Sequence, residues 1–334
     1  MFPLVRSSGQ LLPRFSSQLR AKGVPVLQAP CIEQRLWCLD APVEPEEEEL
    51  RLREGGLLML LECVHAGYTQ ISPLSTEQAS VSLSLLARLH AACWQDRELL
   101  QKASERLHST GGYWTLQRRG AEELRHLKPN WQSYLEAFKD KAPELLSRPK
   151  IKCLAERLEA VAFWVAAQLT PSPSDAFATL IHGDAKAMNM FLPLEQGEAL
   201  AIDFQWTGVG YGLSDVAMHL PHSIDVGALR GGGEEKLVRW YHQELLKLLG
   251  PESITFPEAW HLYRLAFVDY ARMVLSIFLK DASPSNFEAK AENPNVGFVY
   301  RNVEASLHYV GMVDHHLSYV EQLPRDRSRS PKRR

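Results

Sequence analysis

The stretch from 181 to 205, IHGDAKAMNMFLPLEQGEALAIDFQ, constrains the fold more than any other part of the chain. Its two apolar segments, MFLPL and ALAIDF, flank the turn sequence EQGE and predict a β-hairpin. With Gln196-Gly197 as a two-residue loop, Asn189 lies opposite Phe204 and beside Asp203. A one-residue slip of the register keeps the two oxygen-bearing side chains as neighbours.

Four polar side chains around this hairpin have complementary chemistry. Asn189 and Asp203 form a pair of hard oxygen ligands of the kind that Mg²⁺ prefers. Asp184, in the loop before the hairpin, can accept a proton from a hydroxyl, and Lys186 adds a positive charge on the same side. A base, a cation and two metal ligands are the groups that phosphoryl transfer requires. The alternatives are that Asp184 and Asn189 only form turns and that Lys186 is a solvated surface residue.

The motif HGDAKAMN, followed by DFQ fourteen residues after its asparagine, resembles the aminoglycoside phosphotransferase and choline kinase-like superfamily. The pattern is most similar to the ecdysteroid-kinase-like branch. The resemblance implies an α+β, protein-kinase-like two-lobe fold with a large, mainly helical C-lobe. It also implies an ATP- and Mg²⁺-dependent kinase that transfers the γ-phosphate to a hydroxyl of a small molecule, such as an aminoglycoside, choline or an ecdysteroid.

The same resemblance assigns roles within the motif. It implies that Asp184 is the catalytic base and that Lys186 contacts the γ-phosphate, while His182 supports the loop. Asn189 and Asp203 would bind Mg²⁺ and, through it, the nucleotide.

Three residues outside the motif are assigned by the resemblance as well. Glu62 lies in GLLMLLECV, which resembles the last N-lobe strand and hinge, and would contribute to ATP binding. His90, in LARLHAACW, and Asp215, in GLSDVAMHL, would support the catalytic loop. The alternatives are that His90 is a hydrogen-bonded core histidine and that Asp215 is only a helix N-cap.

The chain divides into four parts by composition and pattern. We expect a basic segment over 1–23, a partial kinase-like N-lobe and hinge over 24–64, a helical C-lobe over 65–323 and a basic disordered tail over 324–334. A capping box, Ser75-x-x-Gln78, predicts the first C-lobe helix. Helical periodicity predicts further helices over 120–127, 130–147, 150–169, 214–220, 234–249, 257–281 and 296–322.

The segment before the hinge departs from the pattern of related kinases. Residues 1–56 contain no G-x-G-x-x-G motif, and Lys22 is their only lysine. Kinases of this fold cover ATP with a Gly-rich hairpin and bind its phosphates through a strand lysine. We therefore expect a shortened N-lobe, and a non-catalytic binding protein with a kinase fold, or a truncated product, remains the alternative to an active kinase.

Composition restricts the partners and the compartment. The net charge of −3 indicates neither a nucleic-acid partner nor an anionic membrane. Five scattered cysteines without metal-ligand or redox spacing favour a reducing, cytoplasmic location. The acid-free segment 1–26 leaves a mitochondrial transit peptide open, and the tail RDRSRSPKRR leaves nuclear import or RNA contact open. The sequence does not fix the oligomeric state.

The apolar stretch from Trp260 to Leu279 predicts a buried core helix. It carries Arg264, Asp269 and Arg272, which a lipid-facing helix would not tolerate cheaply. Asp269 and Arg272 are three residues apart and can pair on one helix face, or they can line a substrate cleft.

Overall fold

The computed structural model describes residues 67–290 and 302–324, and most of these residues are helical. The α-helices are α1 Thr76–Ala92, α2 Arg97–Arg106, α3 Leu116–Arg119, α4 Leu127–Phe138, α5 Pro143–Leu146, α6 Pro149–Lys152, α7 Leu154–Gln168, α8 Gly212–Ser223, α9 Val226–Leu229, α10 Gly233–Leu249, α11 Phe256–Met273, α12 Pro284–Lys290 and α13 Val303–Val320. The strands are β1 Tyr68–Thr69, β2 Ala178–Ile181, β3 Met190–Pro193, β4 Leu200–Ala201 and β5 Gly208–Tyr211.

The helix ends follow local sequence chemistry. The predicted capping box begins α1, with the Ser75 side chain accepting from the backbone N–H of Gln78 and the Gln78 side chain accepting from the backbone N–H of Ser75. The predicted helix over 130–147 is wrong as one element, because Pro143 starts a separate short helix, and a residue that precedes a proline is disfavoured in helical geometry. Helix α2 was not predicted.

The predicted hairpin exists, but its two-residue turn is wrong. The register pairs Met190 with Ala201, and the backbone N–H of Ile202 donates to the Asn189 carbonyl at 2.9 Å. Asn189 therefore lies opposite Ile202 rather than Phe204, because residues 194–199 form a longer loop. Strand β3 also pairs with β1 on its other edge, so it is the central strand of a three-stranded sheet.

A second, two-stranded sheet was not predicted and positions the polar loop. Strands β2 and β5 pair antiparallel, from Ala178 with Tyr211 to Ile181 with Gly208. All four residues of β2 are buried. Because β2 is buried, it fixes the start of the loop His182–Asp184, which leads to β3.

Helix α11 lies at the centre of the helical lobe, where it packs against α7, α8 and α13. Tyr263, Phe267 and Tyr270 on this helix are fully buried. The prediction of a buried core helix is confirmed for residues 256–273, and a π-helical turn over 274–278 follows. Within residues 67–290 and 302–324, no helix is long and apolar enough to span a membrane.

The described residues have the expected α+β class, with a large helical lobe and little sheet. The predicted basic segment, the N-lobe strands and hinge, Glu62 and residues 325–334 lie outside the described residues, as does the beginning of the helix predicted over 296–322.

Candidate functional site

The loop His182–Asp184 turns sharply at Gly183, where the chain leaves β2. Gly183 has φ +79°, a left-handed conformation that residues with a Cβ atom rarely adopt. A Cβ atom here would collide with the carbonyl group of Trp206 and would lie 2.7 Å from the backbone nitrogen of Gly112. The glycine thus lets two other backbone segments approach the loop that carries Asp184.

The Asp184 carboxylate is buried and is held through one of its two oxygens. Oδ2 accepts hydrogen bonds from Lys186 Nζ at 2.9 Å and from Asn189 Nδ2 at 3.0 Å. Oδ1 has no hydrogen-bond partner among the described residues and is available to a ligand. Burial raises the pKa of Asp184, although the charge and hydrogen bond of Lys186 and the Asn189 amide oppose the rise. The result is an oriented carboxylate with increased basicity.

Asn189 and Asp203 are brought together by the β3–β4 pairing. The Asn189 amide nitrogen donates to the backbone carbonyl and to the carboxylate of Asp184, so its side-chain oxygen points away from these contacts. Asp203 is exposed, follows β4 directly and has φ +65°, which turns its side chain out of the strand direction. Gln205 donates to Asp203 Oδ2 at 3.2 Å, and Oδ1 has no hydrogen-bond partner in the part of the chain that the structure describes. One amide oxygen and one carboxylate fit Mg²⁺, which completes its coordination with phosphate and water.

His182 braces the loop through both ring nitrogens. Nε2 donates to the Ile202 carbonyl at 2.8 Å, and Nδ1 accepts from the backbone N–H of Asp184 at 3.2 Å. Nε2 therefore serves as the donor and Nδ1 as the acceptor of this pair of hydrogen bonds. The ring therefore connects the loop that carries Asp184 to the segment that precedes Asp203.

Asp215, on α8, is fully buried and holds the loop His182–Asp184 in place. Its carboxylate accepts from the backbone N–H groups of His182 at 2.6 Å and Gly183 at 2.9 Å. It also accepts from His90 Nε2 at 3.1 Å, and His90 Nδ1 contacts the Tyr241 hydroxyl at 2.8 Å. Burial alone would raise the pKa of Asp215, but the hydrogen bond and charge of His90 and the loop contacts lower it overall. The N-cap alternative is wrong, since Tyr211 is the N-cap of α8.

Two further loop supports were missed from the sequence. His219 Nδ1 donates to the Ala185 carbonyl at 2.6 Å, and its Nε2 contacts Ser82 Oγ at 2.8 Å. Ser223 Oγ accepts from the backbone N–H of Ala187 at 2.8 Å. His219 lies four residues after Asp215, on the same face of α8, and this helical spacing was the available signal.

An aromatic wall beside Asp184 was also missed. The backbone N–H of Tyr113 donates to the Gly183 carbonyl at 3.3 Å, and the Tyr113 ring lies 6.3 Å from the Trp206 ring. The hydroxyls of Tyr113 and Tyr270 are 3.4 Å apart. Burial and the nearby Asp184 charge raise the pKa of Tyr113 well above its usual value. No short motif indicates this wall, because its residues come from distant parts of the sequence.

The remaining candidates behave as structural groups. Arg272 Nε donates to Asp269 Oδ1 at 3.1 Å inside the core, so the predicted pair forms. The adjacent histidines His315 and His316 do not form a metal site either. His316 Nε2 contacts Glu234 Oε1 at 2.7 Å, and residues 67–290 and 302–324 contain no group of three or more His, Cys, Asp or Glu side chains that could hold a metal ion.

A search of the curated proteins found no match to the chain. Among solved structures, a choline/ethanolamine kinase family protein from Mesorhizobium loti has 14% sequence identity and a TM-score of 0.42, over 92% of this chain and 80% of that protein. The choline kinase LicA from Streptococcus pneumoniae has 9% identity and a TM-score of 0.38, over 93% and 80% respectively. Identities this low transfer no ligand or activity to this chain.

A family model gives a stronger match. The model of the ecdysteroid kinase-like family matches residues 10–251, which is more than half of the chain. The matched region contains the loop from His182 to Asn189, the hairpin and the three buried supports on α8, Asp215, His219 and Ser223. The chain therefore belongs to the ecdysteroid kinase-like family.

Proposed function

We propose that this protein transfers the γ-phosphate of ATP, with Mg²⁺, to a hydroxyl group of a small-molecule acceptor. The observation that carries the proposal is the buried Asp184 carboxylate, which shares Oδ2 between Lys186 and Asn189 and leaves Oδ1 open. Membership of a kinase-like family supports the reaction class.

In the proposed mechanism, Oδ1 of Asp184 accepts the proton of the acceptor hydroxyl while the hydroxyl oxygen attacks the γ-phosphorus. The bond between the γ-phosphorus and the β,γ-bridging oxygen breaks, and ADP leaves with that oxygen. The raised pKa makes this carboxylate a stronger base than an exposed aspartate. Lys186, whose ammonium group is partly exposed beside the base, stabilises the negative charge on the phosphoryl group. Its bond to Oδ2 also fixes the direction in which Oδ1 points.

Asn189 and Asp203 are the proposed Mg²⁺ ligands, through the Asn189 side-chain oxygen and the open Asp203 oxygen. Mg²⁺, when bound, neutralises charge on the phosphate oxygens. His182, His90 and Asp215 hold the loop of Asp184 in a fixed position relative to Asp203. We further propose that residues 24–64 form the N-lobe and hinge, with Glu62 at the nucleotide, and that residues 65–323 form the C-lobe.

The test is a steady-state assay of the purified full chain with Mg-ATP and a library of hydroxylated small molecules. Turnover that falls in Asp184→Asn and survives in Asp140→Asn, an exposed aspartate outside the loop, supports the proposal. Turnover that is equal in Asp184→Asn and wild type would exclude Asp184 as the base.

A second candidate is a non-catalytic binding protein with a kinase fold. The absence of G-x-G-x-x-G from residues 1–56 favours it. It predicts no turnover with any acceptor, even where a small molecule stabilises the chain against unfolding.

A further inference from the structure

The ring of Trp206 is already engaged by two side chains on the wall beside the proposed base. The His108 ring stacks on it with centroids 5.6 Å apart and an interplanar angle of 24°. The guanidinium carbon of Arg118 lies 4.9 Å from the Trp206 ring centroid. A quaternary ammonium ligand would have to compete with this guanidinium for the electron-rich face of the ring.

The charge of Arg118 is not neutralised by any carboxylate in residues 67–290 and 302–324. Arg118 is exposed, and no carboxylate among the described residues is within ion-pair distance of it. The neighbouring arginines differ: Arg119 Nε donates to Glu123 Oε2 at 2.5 Å, and Arg125 pairs with Glu122. A guanidinium stacked on an aromatic ring keeps its N–H edges free for two parallel hydrogen bonds to a carboxylate or phosphate.

His108 adds no competing charge to this surface. Its Nε2 donates to the Gln205 carbonyl at 3.0 Å. Burial and the positive charge of Arg118 lower the pKa of His108, although the Gln205 bond opposes this. At neutral pH the cation on this face of Trp206 is therefore Arg118.

The segment that carries Arg118 is anchored by a buried ionic network. Arg272 donates to the carboxylate of Glu123, to the backbone carbonyl of Trp114 and to Asp269. Glu123 in turn accepts from Arg119, the residue next to Arg118. Because these contacts fix both ends of α3, the guanidinium is presented from a rigid support, which favours binding of a ligand without reorganisation.

The wall is adjacent to the proposed base. Trp206 accepts a hydrogen bond at its carbonyl from the backbone N–H of Gly112 at 3.0 Å, and the next residue, Tyr113, donates to Gly183. The charge of Asp184 reaches the Tyr113 phenol strongly enough to help raise its pKa. The Tyr113 ring, 6.3 Å from the Trp206 ring, thus connects the surroundings of Asp184 to the ring over which Arg118 lies.

We propose that the acceptor alcohol carries an oxyanionic group, a carboxylate or a phosphate, which Arg118 binds while its guanidinium is stacked on Trp206. This inference rests on the proposed function and narrows its acceptor class. Cationic alcohols such as choline are disfavoured, because the ring that would receive the ammonium group is covered by a cation.

The experiment is isothermal titration of the full chain, without nucleotide, with three probes of similar size: 4-hydroxybutyrate, 1,4-butanediol and choline. We expect 4-hydroxybutyrate to bind at least about tenfold more tightly than either other probe, the difference that one charge-assisted bidentate contact provides. Arg118→Gln should abolish this preference and Arg118→Lys should retain part of it. The control Arg125→Gln, an exposed arginine that is paired with Glu122, should keep it in full.

Three outcomes would overturn the proposal: equal binding of 4-hydroxybutyrate and 1,4-butanediol by the wild type, an unchanged preference in Arg118→Gln, or tightest binding of choline. A parallel titration with Mg-ATP tests whether Arg118 binds an oxyanion of the acceptor or the phosphates of the nucleotide. An equal Kd for Mg-ATP in the wild type and Arg118→Gln supports the acceptor site, whereas weaker binding by the variant assigns Arg118 to the nucleotide phosphates. Because the probe titrations require no turnover, an inactive chain that keeps the Arg118-dependent preference refutes the proposed kinase activity alone.

Discussion

The imidazole Nδ1 of His219 lies 2.6 Å from the carbonyl oxygen of Ala185, the residue between Asp184 and Lys186. The ring is completely buried, and burial lowers the pKa of His219 to about 4, although the bond to Ala185 opposes this. Its folded-state pKa is thus below the unfolded value of about 6.5. Between these values the unfolded chain binds more protons, so stability is complete above the unfolded pKa and is lost as the pH falls toward 4.

This linkage gives the first prediction. Between pH 7 and pH 5, the His219 contribution to the free energy of unfolding should fall by about 2 kcal/mol. Urea denaturation of the wild type and His219→Asn at both pH values measures it, and the pH-dependent loss should be smaller in His219→Asn by that amount. The exposed His126, substituted in His126→Asn, is the control and should leave the loss unchanged. Equal losses in the wild type and His219→Asn would contradict the assignment.

The second prediction concerns the cost of ionising Asp184. Burial raises the pKa of this carboxylate in the folded state, so its ionisation weakens folding as the pH rises above its unfolded value. Asp184→Asn removes the proposed base and should lower turnover by about 10²–10⁴-fold. Because it also removes a carboxylate whose ionisation opposes folding, it should not lower the melting temperature at pH 7. A thermal melt alongside the kinase assay checks both parts. A variant that loses activity together with stability would indicate a structural role for Asp184.

The pH dependence of activity provides a third prediction. The acid limb of kcat/KM reports the ionisation of the free enzyme's base. With the pKa of Asp184 raised by burial, this limb should lie above the usual aspartate range. In Lys186→Met the limb should move to still higher pH, because the ammonium group that opposes the rise is absent. A shift to lower pH in Lys186→Met would show that another group controls the limb.

A fourth prediction tests the proposed metal ligands. Mg-ATP at about 100 times its Kd should stabilise the wild type by about 2.7 kcal/mol. Asp203→Asn should remove most of this effect, because Asp203 is the only carboxylate in the proposed ligand pair. The exposed Asp140→Asn should preserve it. Differential scanning fluorimetry with MgATP and with ATP plus EDTA separates binding through the metal from direct binding, and equal stabilisation in Asp203→Asn would remove Asp203 from the site.

The fifth prediction concerns Gly183. In Gly183→Ala, the positive φ costs about 1–2 kcal/mol, and the added Cβ also collides with the Trp206 carbonyl group. Gly232→Ala is a matched control, since Gly232 has φ +83° and no atom within 4 Å of a built Cβ. Urea denaturation should show a larger loss of stability in Gly183→Ala than in Gly232→Ala. Equal losses would mean that the close backbone approach contributes nothing.

Local patterns predicted the parts of the structure that depend on neighbours in sequence. The capping box at Ser75 was recognisable because its partners lie three residues apart. Asp215 was recognised only through the family resemblance, because its partners His90 and His182 lie far away in sequence. The register of the hairpin was not predictable from local patterns. Strand β3 is also paired with β1, and residues 194–199 form a loop longer than the predicted turn.

The aromatic wall beside Asp184 could not be predicted either, because it depends on contacts between distant parts of the sequence. Its contacts join Gly112 to Trp206 and Tyr113 to Tyr270, each across a large separation in sequence. No local period or motif encodes such pairs, because they depend on how α3, α11 and the β4–β5 connection pack. The polar residues of the loop and hairpin were therefore recognisable from the sequence, whereas the surface proposed to bind the acceptor was not.

The described supports of the base loop, His90, Asp215, His219 and Ser223, come from α1 and α8. Both helices belong to the helical lobe, and this lobe also contributes Arg118 and Trp206. In the proposed function, residues 24–64 hold the nucleotide, whereas α1 and α8 hold the loop that carries Asp184. The proposal thus assigns nucleotide binding and the orientation of Asp184 to separate segments of the chain.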